Sequence, residues 1–256
     1  MAEPLPISVL LLARNESVAL AALLPSLGFA AEIIVVVDAA TTDSTAQVCE
    51  RSGARVFTRV LDGFGAQRQF ALEQCHEPWV FWIDADERLD TAGIAALRDA
   101  VVKADAEGYR LKRRTWFLGR AIRFCGWRNE RVLRLFRRDR ARFDERLVHE
   151  QVHVDGRVVD LGATLDHLSY ETWDDARRKL LQYSAANAER MAFEARRATL
   201  LDVITRPPLR FIRMYVLQLG VLDGARGILL CGLAATQVFL KYAGHWAARR
   251  GSTGST

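Results

Sequence analysis

Short, mostly apolar runs punctuate the first hundred residues: Ile7 to Ala13, Glu32 to Val37, Ala54 to Thr58 (interrupted by Arg55) and Trp79 to Ile83. Each is short and rich in β-branched or aromatic side chains, so each predicts a strand, and Glu32 to Val37 is of the type buried on both faces. Between them the spacing turns helical, over residues 17–28, 42–52, 67–75 and 90–104. Asp43 and Ser44 are cap candidates for the second of these helices, and Gly53 ends it. Strands and helices in alternation predict an α/β fold around a parallel sheet covered on both sides.

From Gly108 the pattern changes to shorter, Arg-rich strands around residues 109–116, 131–136 and 152–159, separated by glycines and aromatics. From Thr172 it turns helical, with Leu180, Leu181, Ser184, Ala188, Met191, Ala192 and Ala195 on one face. Arg206-Pro207-Pro208 is expected to break that helix, and a further one carries Leu209, Ile212, Val216 and Leu219 on one side. This divides the chain into an α/β part (1–107), a second part of the same domain (108–171), a helical region (172–250) and a disordered tail (251–256).

Charge sharpens that division. The 256 residues carry a net +5, but residues 1–100 hold 7 Lys/Arg against 14 Asp/Glu and the remainder 29 against 17. An acidic half joined to a basic half suggests a cation site and a separate anionic partner. Residues 110–142 hold thirteen Lys/Arg against two acids, interleaved with aromatics, which raises nucleic acid as one such partner. Cys49, Cys75, Cys125 and Cys231 form no C-x-x-C pair, so free thiols in a reducing compartment are expected rather than a zinc knuckle or a disulfide scaffold. The apolar run at Gly227 to Leu240 is shorter than the ~20 residues of a spanning helix, and no transmembrane segment is expected.

In an open parallel sheet, ligands bind beyond the carboxyl ends of the strands. Here those ends read Ala13-Arg14-Asn15-Glu16, then Asp38 with Asp43 five residues on, then Asp84-Ala85-Asp86-Glu87. Such residues also serve as turn formers and caps, but three acidic or amide strand ends meet at one edge. In an extended Asp84-Ala85-Asp86 the two carboxylates share a face, which suits Mg²⁺ or Mn²⁺ beside a nucleotide diphosphate. The chain has no Walker A loop, and Gly63-Phe64-Gly65-Ala66-Gln67-Arg68 lacks the third glycine of a dinucleotide fingerprint.

Together these segments resemble glycosyltransferase family 2: Ile7-Ser8-Val9 with Ala13-Arg14-Asn15-Glu16, Glu32 to Asp38, Thr42-Asp43-Ser44-Thr45, Gly63 to Arg68, and Asp84-Ala85-Asp86-Glu87-Arg88. Further along, Trp116 to Arg120, Gly126-Trp127, Val132 to Arg138, Val148-His149-Glu150, His167 to Tyr170 and the stretch from Arg213 to Tyr242 are similar to one branch. That branch contains the β-1,4-glucosyltransferases of lipopolysaccharide inner-core synthesis, and the resemblance covers roughly residues 7–246.

The resemblance implies a GT-A fold (Rossmann-like, mainly parallel sheet), a nucleotide-sugar donor such as UDP-glucose, a divalent metal, and inversion at the anomeric carbon. It implies donor contacts from Ala13, Asn15, Glu16, Asp38, Asp43, Arg68 and Asp84. Asp86 would hold the metal, Asp84 the ribose or the metal, and His149 or His167 could complete the metal or diphosphate site. Trp116, Gly126, Trp127 and Arg134 would face a lipid-linked, phosphorylated oligosaccharide acceptor, on a heptose of the inner core. The place of action would be cytoplasmic, peripheral on the inner face of the membrane. Another donor or acceptor, such as a different surface glycan or a peptide, is the alternative. Gln69 departs from the family's usual Asn, Ala39-Ala40-Thr41 from Ser-Gly-Ser, and Asn129-Glu130 from Pro-Asp. The base is expected among Asp144, Glu145 and Glu150, with Glu150 favoured through the Val-His-Glu match.

His149-Glu150-Gln151-Val152-His153 also spells the H-E-x-x-H pattern of zinc peptidases. That pattern works only on a helix, where i and i+4 lie about 6 Å apart. The surrounding valines predict a strand, where the two histidines would stand about 13 Å apart and could not share an ion.

Overall fold

A computed structural model describes residues 3–144, 152–181, 184 and 198–251. The chain forms two compact units, residues 1–113 with 130–167, and residues 114–129 with 168–256.

In the first unit the N-terminal alternation is realised as β1 (Leu5–Ala13), α1 (Ser17–Leu23), β2 (Ala30–Asp38), α2 (Thr45–Arg51), β3 (Arg55–Arg59), α3 (Phe64–Glu73) and β4 (Trp79–Trp82). Then follow β5 (Glu87–Leu89), α4 (Thr91–Lys103), β6 (Gly108–Phe117), β8 (Arg131–Arg137), β9 (Ala141–Phe143), β10 (Val152–Val154) and β11 (Val158–Tyr170), while β7 (Arg120–Ala121) and the last residues of β6 and β11 belong to the second unit. The main sheet runs β3-β2-β1-β4-β8-β6-β11-β5, with β7 paired to β6. Its first four strands are parallel, and β8 against β4 begins the antiparallel part.

The apolar runs explain the parallel half. Ile7, Val9 and Leu11 of β1, Val35 and Val37 of β2 and Phe81 of β4 enter one core, with Leu20, Leu23 and Leu97. Their neighbours Leu10, Ile34, Val36 and Val80 enter the other, against Ala71 and Leu72 of α3. Both faces are therefore covered, and a one-residue slip of any strand would exchange the two sets.

Residues 152–159 form no single strand: β10 ends at Val154, and β11 starts at Val158 after Gly156, whose φ is +138°. β10 pairs only with β9, as a separate two-stranded ribbon.

In the second unit residues 173–181 are helical (α5), followed by α6 (Leu200–Ile212) and α7 (Gly224–Gly251). The expected face through Ala188, Met191, Ala192 and Ala195 lies outside the described residues, as does the tail beyond Gly251. The expected break at Arg206-Pro207-Pro208 does not occur, since both prolines sit inside α6. The helix starts seven residues before Pro207, behind a reciprocal capping box formed by Thr199 and Asp202. Each proline frees one carbonyl, on Val203 and Ile204, and Ile204 faces outward. Packing of Val203, Phe211 and Met214 keeps the helix in place.

α7 is also longer than its apolar run, because good helix formers on either side of Gly227–Leu240 carry it from Gly224 to Gly251. Among the described residues, Gly220–Ala248 is long and apolar enough to cross a membrane by length and composition, and 17% of its apolar window is buried. The unit's core joins Phe117, Ile122, Cys125, Met214, Leu230 and Cys231. All four cysteines are free and buried, although Cys125 and Cys231, 106 residues apart, bring their sulfurs to 3.8 Å.

Candidate functional site

The carboxyl ends of β1, β2 and β4 carry the groups expected of a ligand site. After β1 the chain turns at Asn15, whose φ of +54° is a left-handed conformation that Asn tolerates better than most residues. Its Oδ1 accepts from the Thr42 N–H at 2.8 Å, tying the β1 loop to the β2 loop. Asp43 makes a second tie: one oxygen accepts from the Thr45 N–H at 3.0 Å and the other from the Ser17 N–H at 3.1 Å. The Thr45 hydroxyl donates to Asp43 and accepts from the Glu16 N–H at 2.9 Å. These bonds, the Thr45 hydroxyl first, hold the Asp43 carboxyl down at about 2. The loops that bear Ala13 to Glu16 and Asp38 to Asp43 are thus cross-braced.

Asp38 ends β2 and is buried. Its Oδ1 accepts from the Ala40 N–H at 3.0 Å, while Oδ2 lies 3.3 Å from Arg14 without hydrogen-bond geometry. Such a buried acceptor is available to a donor group of a ligand.

Between β4 and β5 the chain presents three acids in four residues. Arg134, from β8, donates to Asp84 Oδ2 and to Glu87 Oε1, both at 2.6 Å. Glu87 also accepts from the Asp84 N–H at 3.0 Å, and the Trp82 indole donates to Asp84 Oδ1 at 3.2 Å. The guanidinium carbons of Arg68 and Arg134 lie 4.2 Å and 4.1 Å from the centre of the Trp82 ring. Burial would raise the Asp84 carboxyl, but Arg134 and Arg68 outweigh it and hold it below the usual range. Burial pushes the Glu87 carboxyl up against the opposing pull of Arg134, and the charge of Asp84 adds to the rise.

Asp86 stands apart from that triad. β5 pairs antiparallel with β11, setting His167 opposite Glu87, and His167 Nε2 lies 3.4 Å from Asp86 Oδ2. Among the described residues no group of three or more His, Cys, Asp or Glu side chains forms a ready cage. Asp86 and His167 supply two ligating groups, a number that suits a hard cation completed by water and phosphate oxygens.

The structure therefore brings Ala13, Asn15, Glu16, Asp38 and Asp43 to two braced loops, and Arg68, Asp84, Asp86 and His167 to the β4–β5 junction. Arg134, expected on the acceptor side, is instead buried under that junction with its guanidinium committed to Asp84 and Glu87. Trp116, Gly126 and Trp127 belong to the second unit. There Gly126 has φ +87°, in a turn braced by Asp223, which accepts from the Arg123 and Phe124 N–H groups. Trp127 lines a cleft with Tyr170, Leu180, Arg210, Leu230 and Leu233.

Glu150, Glu145 and His149 lie outside the described residues. Asp144 is held by His153, whose Nε2 is 2.9 Å from its Oδ2. His153 itself is in strand β10, not a helix. Trp82 carries no signal in the sequence, while Glu87 and Thr45 stand in the expected motifs without the roles of salt-bridge partner and loop brace that they take here.

Residues 8–153 match the model of glycosyl transferase family 2. The chain belongs to that family. It is 32% identical to the lipopolysaccharide core biosynthesis glycosyltransferase LpsC of Rhizobium meliloti, with 95% of each chain covered. An uncharacterized glycosyltransferase of Rickettsia conorii, RC0292, is 36% identical over 83 residues, 32% of this chain and 29% of that protein. Among solved structures, Staphylococcus aureus TarS 1–349 in complex with UDP is 14% identical over 97% of this chain and 92% of its own, with a TM-score of 0.45. Glucosyl-3-phosphoglycerate synthase of Mycobacterium tuberculosis, with Mn²⁺, UDP-glucose and phosphoglyceric acid, is 24% identical over 42% of this chain and 43% of its own, with a TM-score of 0.36. The fold of this family 2 glycosyltransferase is GT-A, with a mixed, mostly parallel sheet and helices on its faces.

Proposed function

We propose that this glycosyltransferase moves glucose from UDP-glucose onto a heptose of the lipopolysaccharide inner core, with inversion and with a divalent cation at Asp86. The near full-length similarity to a lipopolysaccharide core enzyme supports the acceptor class. The observation that carries the donor side is the β4–β5 junction, where Asp84 is fixed by Arg134 and Asp86 is left beside His167. Asp86 and His167, with His149, would hold Mg²⁺ or Mn²⁺. When bound, that cation would offset charge on the departing diphosphate.

The remaining roles fall to side chains. Asn15, Glu16 and Asp43 keep the two nucleoside loops braced beside Ala13, and the buried Oδ2 of Asp38 accepts from the base or ribose. Arg68 approaches the diphosphate, with its orientation set by the Trp82 ring. Arg134 acts as a positioning residue that aims Asp84. Glu150 takes the proton of the acceptor hydroxyl as the sugar carbon is attacked from the opposite face. Trp116 and Trp127 offer faces to acceptor sugars, and the left-handed turn at Gly126 sets the second of them. The lipid-linked acceptor puts the enzyme at the inner face of the cytoplasmic membrane.

A thermal-shift panel of UDP, GDP and CMP sugars, with and without Mn²⁺, tests the donor. UDP-glucose with Mn²⁺ should raise the unfolding temperature most. A larger rise with a GDP or CMP sugar, or one indifferent to metal, would refute the donor reading.

A further inference from the structure

The second unit carries an apolar surface that its own core leaves out. α6 is divided into three sectors around its axis. Val203 and Phe211, with Met214 just beyond the helix, pack inward. Leu201, Leu209 and Ile212 point away from Val203 and Met214, Ile204 stands at the edge beside Phe211, and the four are 68, 62, 50 and 63% exposed in that order. At about 100° per residue, Ile204, Pro208, Leu201 and Ile212 span an arc of about 80°, and Leu209 extends it by about 60° towards the arginines. Arg206 and Arg213, both exposed, lie between that arc and the core.

The strip continues beyond the helix through Val216, Leu217, Val221 and Leu222, the second of them 74% exposed. Water-facing aliphatic side chains over so long a stretch are uncommon in a soluble monomer and mark an interaction surface.

Two observations select the occupant. Residues 198–251 hold seven Lys/Arg against two acids. Both acids are engaged within the unit, Asp202 by Thr199 and Arg206, and Asp223 by two backbone N–H groups. The region therefore presents positive charge beside aliphatic surface. The outward strip holds Leu, Ile, Val and Pro and no aromatic ring, whereas protein interfaces concentrate binding energy in Trp, Tyr and Arg. An aliphatic face edged with arginine is the pattern of a helix lying in a membrane interface.

We propose that α6 and the turns after it dock flat on an anionic bilayer, with Leu201, Ile204, Ile212 and Leu217 inserted among the acyl chains. The inference does not depend on which sugar is transferred, because its test reads vesicle binding alone.

The full-length protein is floated with vesicles of phosphatidylethanolamine and phosphatidylglycerol, or of phosphatidylcholine alone. Binding should favour the phosphatidylglycerol vesicles. A Leu201→Asp/Ile204→Asp variant should bind at least tenfold more weakly with an unchanged unfolding temperature, and Arg213→Glu should lessen the preference for anionic lipid. If the double variant fails to fold, Leu217→Asp serves in its place, and the same tenfold loss is expected. Wild-type binding by a correctly folded variant would overturn the proposal. So would an alkaline carbonate wash that leaves wild type and variant equally embedded, which would mean that α7 spans the bilayer. A wild-type dimer converted to monomer by the variant, with vesicle binding unaltered, would instead assign the strip to a second copy of the chain.

Discussion

Arg134 is the residue on which the candidate site turns. It is one cation between two carboxylates, and Glu87 is fully buried. Removing one partner from such a cluster is far more damaging than never having built it, because the remaining charges lose their compensation. Arg134→Met should therefore cost about 3–5 kcal/mol of stability at pH 7, measured by urea unfolding. The loss should shrink on acidification, as protonation discharges the two carboxylates. The two acids contribute with opposite sign. The lowered carboxyl of Asp84 adds stability above its unfolded value, and that stability is lost as pH falls through the folded one. The raised carboxyl of Glu87 favours the fold at low pH, and that contribution is lost as pH climbs through its raised value. A pH-independent cost for Arg134→Met would show that the guanidinium acts through packing on Trp82 rather than through charge. None of this was legible in the chain. Asp84-Ala85-Asp86 announced itself, but Glu87 and Trp82 acquire roles only when β8 brings Arg134 fifty residues back to them.

At the scale of elements, legibility followed burial. β1, β2 and β4 are apolar on both faces, so their runs are continuous and their limits fell within two residues of expectation. β5 has three residues, and β11 alternates poorly, through Asp160, Gly162, Asp166 and His167, so neither stood out. Yet their pairing is what sets His167 beside Asp86. The two prolines of α6 misled for a different reason: a capping box upstream and side-chain packing downstream outweigh two lost backbone bonds. Gly126 offers a test of local geometry. A side chain there would adopt φ +87° and place a Cβ 2.5 Å from the end of the Gln218 side chain. Gln218 can swing aside, so the backbone dominates, and Gly126→Ala should cost roughly 1–2 kcal/mol in thermal unfolding. A neutral result would mean the turn relaxes freely.

For the whole molecule, the uneven charge acquires a physical meaning. The acidic first hundred residues supply the braced loops and the β4–β5 junction. The basic stretch at 110–142 is less of a polyanion surface than its composition suggests. Arg110 and Arg131 pair with Asp160, Arg113 with Glu130, Arg134 with Asp84 and Glu87, and Arg137 and Arg140 with Asp139. Such pairing fits a sheet that carries its own counter-ions better than a nucleic-acid groove.

The proposed function rests on Asp86 holding a cation beside the nucleotide sugar. Its most direct test is transfer of labelled hexose from UDP-glucose to isolated inner-core oligosaccharide, with Mn²⁺ or with a chelator, by wild type and Asp86→Ala. Transfer by wild type should be sensitive to the chelator, and Asp86→Ala should lose at least a hundredfold at an unchanged unfolding temperature. Undiminished transfer by Asp86→Ala, or transfer by wild type in the presence of the chelator, would contradict the proposal.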